Sequence, residues 1–211
     1  MSAALYQPFF CEENITKLCE RTEFAGHEMW AVFITNAART CVCQQQRASS
    51  ENEPTLWDYH VVALSTAFPG QETSATSGEE VAKPPHGHTE VWAPFVIPAA
   101  PSGDWLCWDF DTRLPFPCLA SDYISKTFEG LERFHRSTWP RFRVVERRRL
   151  SELFSSDRMH MQVEGAWLQP PPPWRPILNG PPTLSRFLDV DDEFGGPWLS
   201  LDELFAFIGG R

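Results

Sequence analysis

An α+β fold is predicted for this chain on three observations. Strand-length apolar runs and helix-period segments are mixed along the sequence without the regular alternation of a βαβαβ protein. The 211 residues are 42% hydrophobic and include 9 Trp and 16 Phe, enough apolar mass for one core but not two. Finally, 19 Pro and 12 Gly require long loops between the elements. A single domain spanning 1–211 follows.

The first element is a helix over residues 11–21, where Ile15, Leu18, Cys19 and Thr22 recur at helical spacing. Glu12 and Glu13 fall in its first turn and Lys17 and Arg21 come later, the arrangement the helix dipole favours. Cys11 therefore stands at a helix N-terminus. Trp30–Thr35, Trp57–Ser65 and Trp105–Phe110 read as strands. Residues 67–103 are rich in Pro, Gly, Ser, Thr and Glu, and Phe68–His88 has almost no apolar periodicity, so a flexible surface insertion is expected there. Asp122–Ser137 carries Ile124, Phe128, Leu131 and Phe134 at helical spacing. Phe142–Glu146 reads as a strand and Leu150–Phe154 as a short helix. Pro170–Pro173, between Trp167 and Trp174, is a polyproline connector expected to pack on its own domain. Thr183–Leu188 and Ser200–Ile208 close the chain, the second behind a Ser200-Leu-Asp-Glu203 capping box.

Charge narrows the class of partner. A net charge of −10 argues against a nucleic-acid binder. The one basic run, Arg141, Arg143, Arg147, Arg148 and Arg149, is interleaved with apolar residues and is expected to be a solvated or ion-paired face. No apolar run reaches the length of a membrane span, and the first residues lack a secretory signal pattern. A soluble, intracellular, reduced protein is expected, with its six cysteines serving as core residues, ligands or a nucleophile. Cys41-Val-Cys43 fits alternation on a strand better than a metal site, and His86-Gly-His88 fits a solvated loop.

Three places could carry chemistry. A helix N-terminus favours the thiolate of Cys11, although Glu12 and Glu13 oppose it. His60, in Trp57-Asp-Tyr-His-Val-Val62, is a histidine in a run that is apolar on both faces. Trp108-Asp-Phe-Asp111 sets two carboxylates at the end of a hydrophobic strand, where each needs a partner. An imidazole N–H is such a partner. The chain order Cys, His, Asp is the layout of papain-like and transglutaminase-like cysteine enzymes. Periodicity alone leaves Asp109, Asp111 and Asp58 open as the acid.

A set of ordered motifs goes further. Cys11-Glu-Glu-Asn-Ile15, Lys17-Leu-Cys-Glu20, Ala31-Val-Phe-Ile34, Trp57–Val62 and Asp109 with Asp111-Thr112 resemble the protein N-terminal glutamine amidohydrolase family. So do Leu114-Pro-Phe-Pro-Cys118, Phe142-Arg-Val144, Ser156-Asp-Arg158 with His160-Met161, and Pro170–Pro173, all in the same order. Departures are concentrated in 67–103 and in the C-terminal fifth.

The resemblance implies a papain/transglutaminase-type fold with a central, mostly antiparallel sheet, and Cys11 as nucleophile on a helix, His60 as base and Asp109 as the acid that orients it. It further implies hydrolysis of the side-chain amide of an N-terminal Gln in peptides and proteins, with no metal or organic cofactor. A monomer feeding N-degron turnover in the cytoplasm, and also the nucleus, is the implied setting. Reading a free α-ammonium requires an acidic group in the cleft, for which Glu12, Glu13, Asp58 and Asp111 are the candidates. Asp157 and Arg158 are expected to serve in a structural ion pair rather than a substrate contact. The alternatives are a cysteine protease or transglutaminase on the same residues, and a non-catalytic module that binds N-termini.

Overall fold

The computed structural model describes residues 4–51, 53–66, 90–92 and 104–209. In chain order the elements are β1 (Ala4–Tyr6), α1 (Cys11–Cys19), β2 (Met29–Thr35), β3 (Cys41–Cys43), β4 (Thr55–Trp57), β5 (His60–Thr66), β6 (Glu90–Trp92), β7 (Trp105–Trp108) and β8 (Cys118–Leu119). There follow α2 (Ala120–Thr127), β9 (Arg141–Glu146), α3 (Arg147–Leu153), β10 (Gln162–Val163), β11 (Ala166–Trp167), α4 (Leu184–Leu188), β12 (Trp198–Leu199) and α5 (Leu201–Gly209). The fold is α+β, as predicted.

Its centre is a six-stranded antiparallel sheet in the order β12-β9-β2-β5-β7-β8. Residues two apart on a strand share a face, so each strand feeds two cores. Ala31, Phe33, Val61, Ala63, Leu106, Trp108 and Val145 pack with Ile15 and Leu18 of α1, Leu150 of α3 and Phe187 of α4. Val32, Ile34, Val62, Leu64, Cys107 and Phe142 pack with Tyr123 and Ile124 of α2 and Leu204 of α5. The sheet is thus covered by helices on both faces, which explains why its strands read as continuous apolar runs rather than alternating ones.

Four sequence expectations are corrected. The run Trp57–Ser65 is two strands: β4 pairs with β3, β5 pairs with β2 and β7, and the chain turns at Asp58-Tyr59. There Thr35 Oγ1 donates to Asp58 O and Tyr59 N–H donates to Asp58 Oδ1, bonds that replace ladder pairing. The third strand ends at Trp108, so Asp109 and Asp111 lie just past it. The expected helix 122–137 stops at Thr127, because Gly130 takes a left-handed conformation (φ 72°) and the chain continues as two 3-10 turns. Arg143 is buried, not solvated. Its guanidinium lies 4.4 Å from the Trp198 ring centre and donates to the carbonyls of Arg186, Asp189, Asp192 and Phe194.

Other expectations hold. All six cysteines are free. Ser200 N–H donates to Glu203 Oε2 at 2.7 Å and Glu203 N–H to Ser200 Oγ at 3.3 Å, the reciprocal pair of a capping box. The polyproline connector packs against the domain through Pro170 O and Pro172 O, which accept from Gln7 Nε2 and Arg158. Of 67–103, only Glu90–Trp92 is described, as a strand antiparallel to β1. The remainder of that stretch, including His86 and His88, lies outside the described residues. Among the described residues, no helix is long and apolar enough to cross a membrane.

Candidate active site

The antiparallel topology brings one end of the sheet together. β5 starts there with His60 and β7 finishes there just before Asp109. α1 begins nearby with Cys11. Phe9, with φ 67°, turns the chain into its first residue. A positive φ at a bulky residue is costly, on the order of 1–3 kcal/mol, and such strain concentrates at functional sites.

His60 Nε2 lies 2.9 Å from Asp109 Oδ1, and both side chains are essentially inaccessible. Asp109 is held from all sides: Asp111 N–H donates to Oδ1, while Gln46 Nε2 and the Tyr123 hydroxyl donate to Oδ2. Gln46 is oriented in turn by the Trp57 indole N–H on its Oε1. Trp57 also stacks on His60 at 5.4 Å and 11°. Burial pushes the Asp109 carboxyl upward, but the His60 charge and these hydrogen bonds outweigh it and bring it to about 2. Burial pushes His60 downward, and the Asp109 charge and hydrogen bond prevail and raise it. An ionised Asp109 can only accept, so the proton sits on Nε2 and Nδ1 is the basic nitrogen of the neutral ring.

A test of this pair follows from linkage. The depressed Asp109 contributes stability that is present above the unfolded carboxylate value near 4 and is lost as pH falls from about 4 towards 2. The raised His60 contributes stability present below its unfolded value, and this is lost as pH rises through its folded one. The urea midpoint is therefore expected to drop between pH 4 and 2, and Asp109→Asn should flatten that limb.

Cys11 is buried beside this pair. Desolvation raises its thiol pKa first. The charges of Glu12, Asp111 and Asp58 raise it further, while the Val61 backbone N–H, next to His60 on β5, bonds the sulfur and lowers it. The Cys11 Sγ lies 3.8 Å from Glu12 Oε2, a neighbour that favours the thiol over the thiolate. Cys11, His60, Asp58 and Asp111 line one cleft of about 480 Å³. Phe9, Trp57, Met161, Leu168, Leu184 and Leu188 supply its apolar wall, and Arg39, Asp157 and His160 also face it.

The four acidic candidates part ways. Glu13 accepts two bonds of 2.7 Å from Arg158 and one of 2.7 Å from the Trp174 indole, so it is committed to a buried ion pair. Arg158 thus has the structural role expected of it, though with Glu13 rather than Asp157. Removing one partner of such a pair strands a buried charge, so Arg158→Ala is expected to cost about 3–5 kcal/mol in urea unfolding. Asp58 is exposed at the cleft mouth. Asp111 is buried and accepts from the Tyr6 hydroxyl at 2.6 Å. Glu12 is buried between Cys11, Tyr59 and His160.

One donor atom each from His60, Asp109 and Asp111 falls within 4.8 Å of the others, the one such group among the described residues. Two of those residues already satisfy each other through the His60–Asp109 bond, which a cation at this point would have to break.

Sequence reasoning did not single out Gln46, Tyr123, Tyr59 or His160 as site residues. Tyr59 and His160 had a signal, their places in the Trp57–Val62 and Ser156–Met161 motifs. Gln46 lies in a loop and Tyr123 on a helix read by its apolar face, so neither stood out.

The fold and cleft describe an α+β protein with a thiol at a helix start beside a buried imidazole–carboxylate pair. The family model for N-terminal glutamine amidase matches residues 6–208. The chain is 31% identical to the protein N-terminal glutamine amidohydrolase of Homo sapiens, covering 99% of this chain and 90% of that protein. It is 32% identical to the Bos taurus protein of the same name (98% and 86% covered) and 30% identical to that of Danio rerio (97% and 89% covered). This chain belongs to the N-terminal glutamine amidase family.

Proposed function

We propose that this protein hydrolyses the side-chain amide of an N-terminal glutamine, yielding N-terminal Glu and ammonia. The observation that carries the proposal is the gathering of Cys11, His60 and Asp109 at one sheet end of a chain from this family. The fold assignment that goes with it is the papain/transglutaminase type.

In this reading Cys11 gives its proton to His60 and its sulfur attacks the amide carbon. The Cys11 backbone N–H, in the first turn of α1 where no intrahelical acceptor exists, holds the oxyanion. His60, now an imidazolium, protonates the departing nitrogen, and a glutamyl thioester and ammonia result. Water then attacks the thioester. His60 takes its proton and returns it to the sulfur, restoring the thiol and releasing the Glu-initiated chain. Asp109 keeps Nε2–H in place and stabilises the cationic ring throughout. Every step draws on groups of this chain and one water. The product would feed N-degron turnover in the cytoplasm or nucleus, with the enzyme acting as a monomer.

An ammonia assay tests this. A Gln-initiated peptide should be turned over, while its N-acetylated copy and its Asn-initiated analogue should not. Release from the acetylated copy or an internal Gln would point to a transglutaminase or protease instead.

A further inference from the structure

Glu12 presents an energetic problem that its neighbours leave unsolved. Its side chain is fully buried, and its Oε1 is the one carboxylate oxygen among the described residues that is buried without a hydrogen bond. Its Oε2 accepts from the Tyr59 hydroxyl at 3.1 Å and faces the Cys11 sulfur at 3.8 Å. The basic side chain beside it is His160, whose Nε2 lies 3.5 Å from Oε1 and 3.2 Å from the Tyr59 hydroxyl. His160 is partly exposed on the cleft wall, so its ring lies between the cleft and this buried carboxylate. A buried carboxylate with an open lone pair is expensive, and it also opposes ionisation of the thiol beside it.

We infer that Glu12, with Tyr59 and His160, is the subsite for the substrate's α-ammonium, and that filling it neutralises Glu12 and so releases the Cys11 thiolate. The inference rests on the deamidation reading and deepens it. In a glutamine, four bonds separate the α-nitrogen from the amide carbon, a span of at most about 5 Å. An ammonium seated at Glu12 therefore leaves the amide carbon within reach of the neighbouring sulfur. Glu13 and Asp111 have taken partners, and Asp58 is exposed to water, so Glu12 is where an added positive charge gains most. The groups facing the sulfur are Glu12 from α1, Asp58 and Tyr59 from the turn between β4 and β5, His60 from the start of β5, and Asp111 from beyond β7. Of these, Glu12 is the one a substrate cation would neutralise. Specificity and activation are then one event: a blocked or missing amine leaves the nucleophile protonated.

Two experiments decide it. The first is the pH profile of Cys11 alkylation by iodoacetamide in the free enzyme, with the modified residue identified by peptide mass spectrometry. Glu12→Gln removes the opposing charge and should accelerate alkylation at neutral pH, roughly tenfold for each unit the thiol pKa falls. Tyr59→Phe removes a donor from Glu12 and should slow it. A fold defect that merely exposes the thiol would speed both variants, so opposite signs support the inference and a common sign overturns it.

The second experiment compares a Gln-initiated peptide with its desamino analogue, which keeps the side-chain amide but lacks the α-nitrogen. The wild type should favour the amine by on the order of 100-fold or more, with the loss in kcat and an alkaline shift of the rate profile. Glu12→Gln should lose most of that preference. Equal turnover of both by the wild type, or a Glu12→Gln variant that keeps the wild-type ratio, overturns the inference. Absence of any ammonia release by the wild type would instead sink the deamidation reading, and the alkylation test would still stand.

Discussion

Replacing Cys11 with alanine is expected to abolish ammonia release from a Gln-initiated peptide, a loss of roughly 10⁴-fold or more, while leaving the far-UV CD spectrum unchanged. The size of the effect follows from the proposed role: without sulfur there is no thioester, and the remaining groups can only polarise the amide. The fold should survive because α1 is held by other contacts. Ile15 and Leu18 anchor it to the sheet, and the Asn14 side chain ties it to Gln7 through bonds of 2.9 Å in both directions. Alanine is also a better helix former than cysteine. Removing a thiol that faces Glu12 and Asp111 leaves a small void, so stability should change by no more than about 1 kcal/mol. Measurable turnover by this variant, with native CD, would remove Cys11 from the mechanism.

Much of this molecule can be read from its residues because its interior is organised by period. β2, β5 and β7 are dominated by apolar residues that feed cores on both faces of the sheet. Cys11 and His60 are legible because a helix start and an apolar strand are local patterns. The acid is not: Asp109 and Asp111 differ by two positions, and only the turn after Trp108 decides which carboxylate meets the imidazole.

Glu12 and Glu13 illustrate the same limit more sharply. Two acids in a first turn have an ordinary dipole explanation, yet both are buried, one against Arg158 and the other against Cys11. Arg158 lies 145 residues from Glu13, and no periodicity carries information over that distance. Arg143 fails for the same reason. Its carbonyl partners come from α4 and the chain just after it, so a basic run that looks solvated holds one fully buried guanidinium.

Asp109→Asn is expected to lower kcat by about 10²–10⁴-fold with little change in KM, and to weaken the fold as well. The reason lies in the donor count. Asp109 receives four hydrogen bonds, two on each oxygen: from His60 and Asp111 N–H on one, and from Gln46 and Tyr123 on the other. An asparagine offers one oxygen and one NH₂, so either orientation sets a donor against two donors. If the amide nitrogen faces His60, the ring must present Nε2 as an acceptor. Its proton then moves to Nδ1, the nitrogen the mechanism needs as a base. If the nitrogen faces Gln46 and Tyr123 instead, the tautomer is kept, but the negative charge that stabilises the imidazolium is still gone. Asp111→Asn should be far milder, because Asp111 Oδ1 accepts from Tyr6 and an amide oxygen can replace it there. A pH–rate profile separates the two variants: loss of the Asp109 charge should lower the apparent pKa of His60 and shift the profile. Should Asp111→Asn show the larger loss in kcat, the orienting role belongs to Asp111 instead.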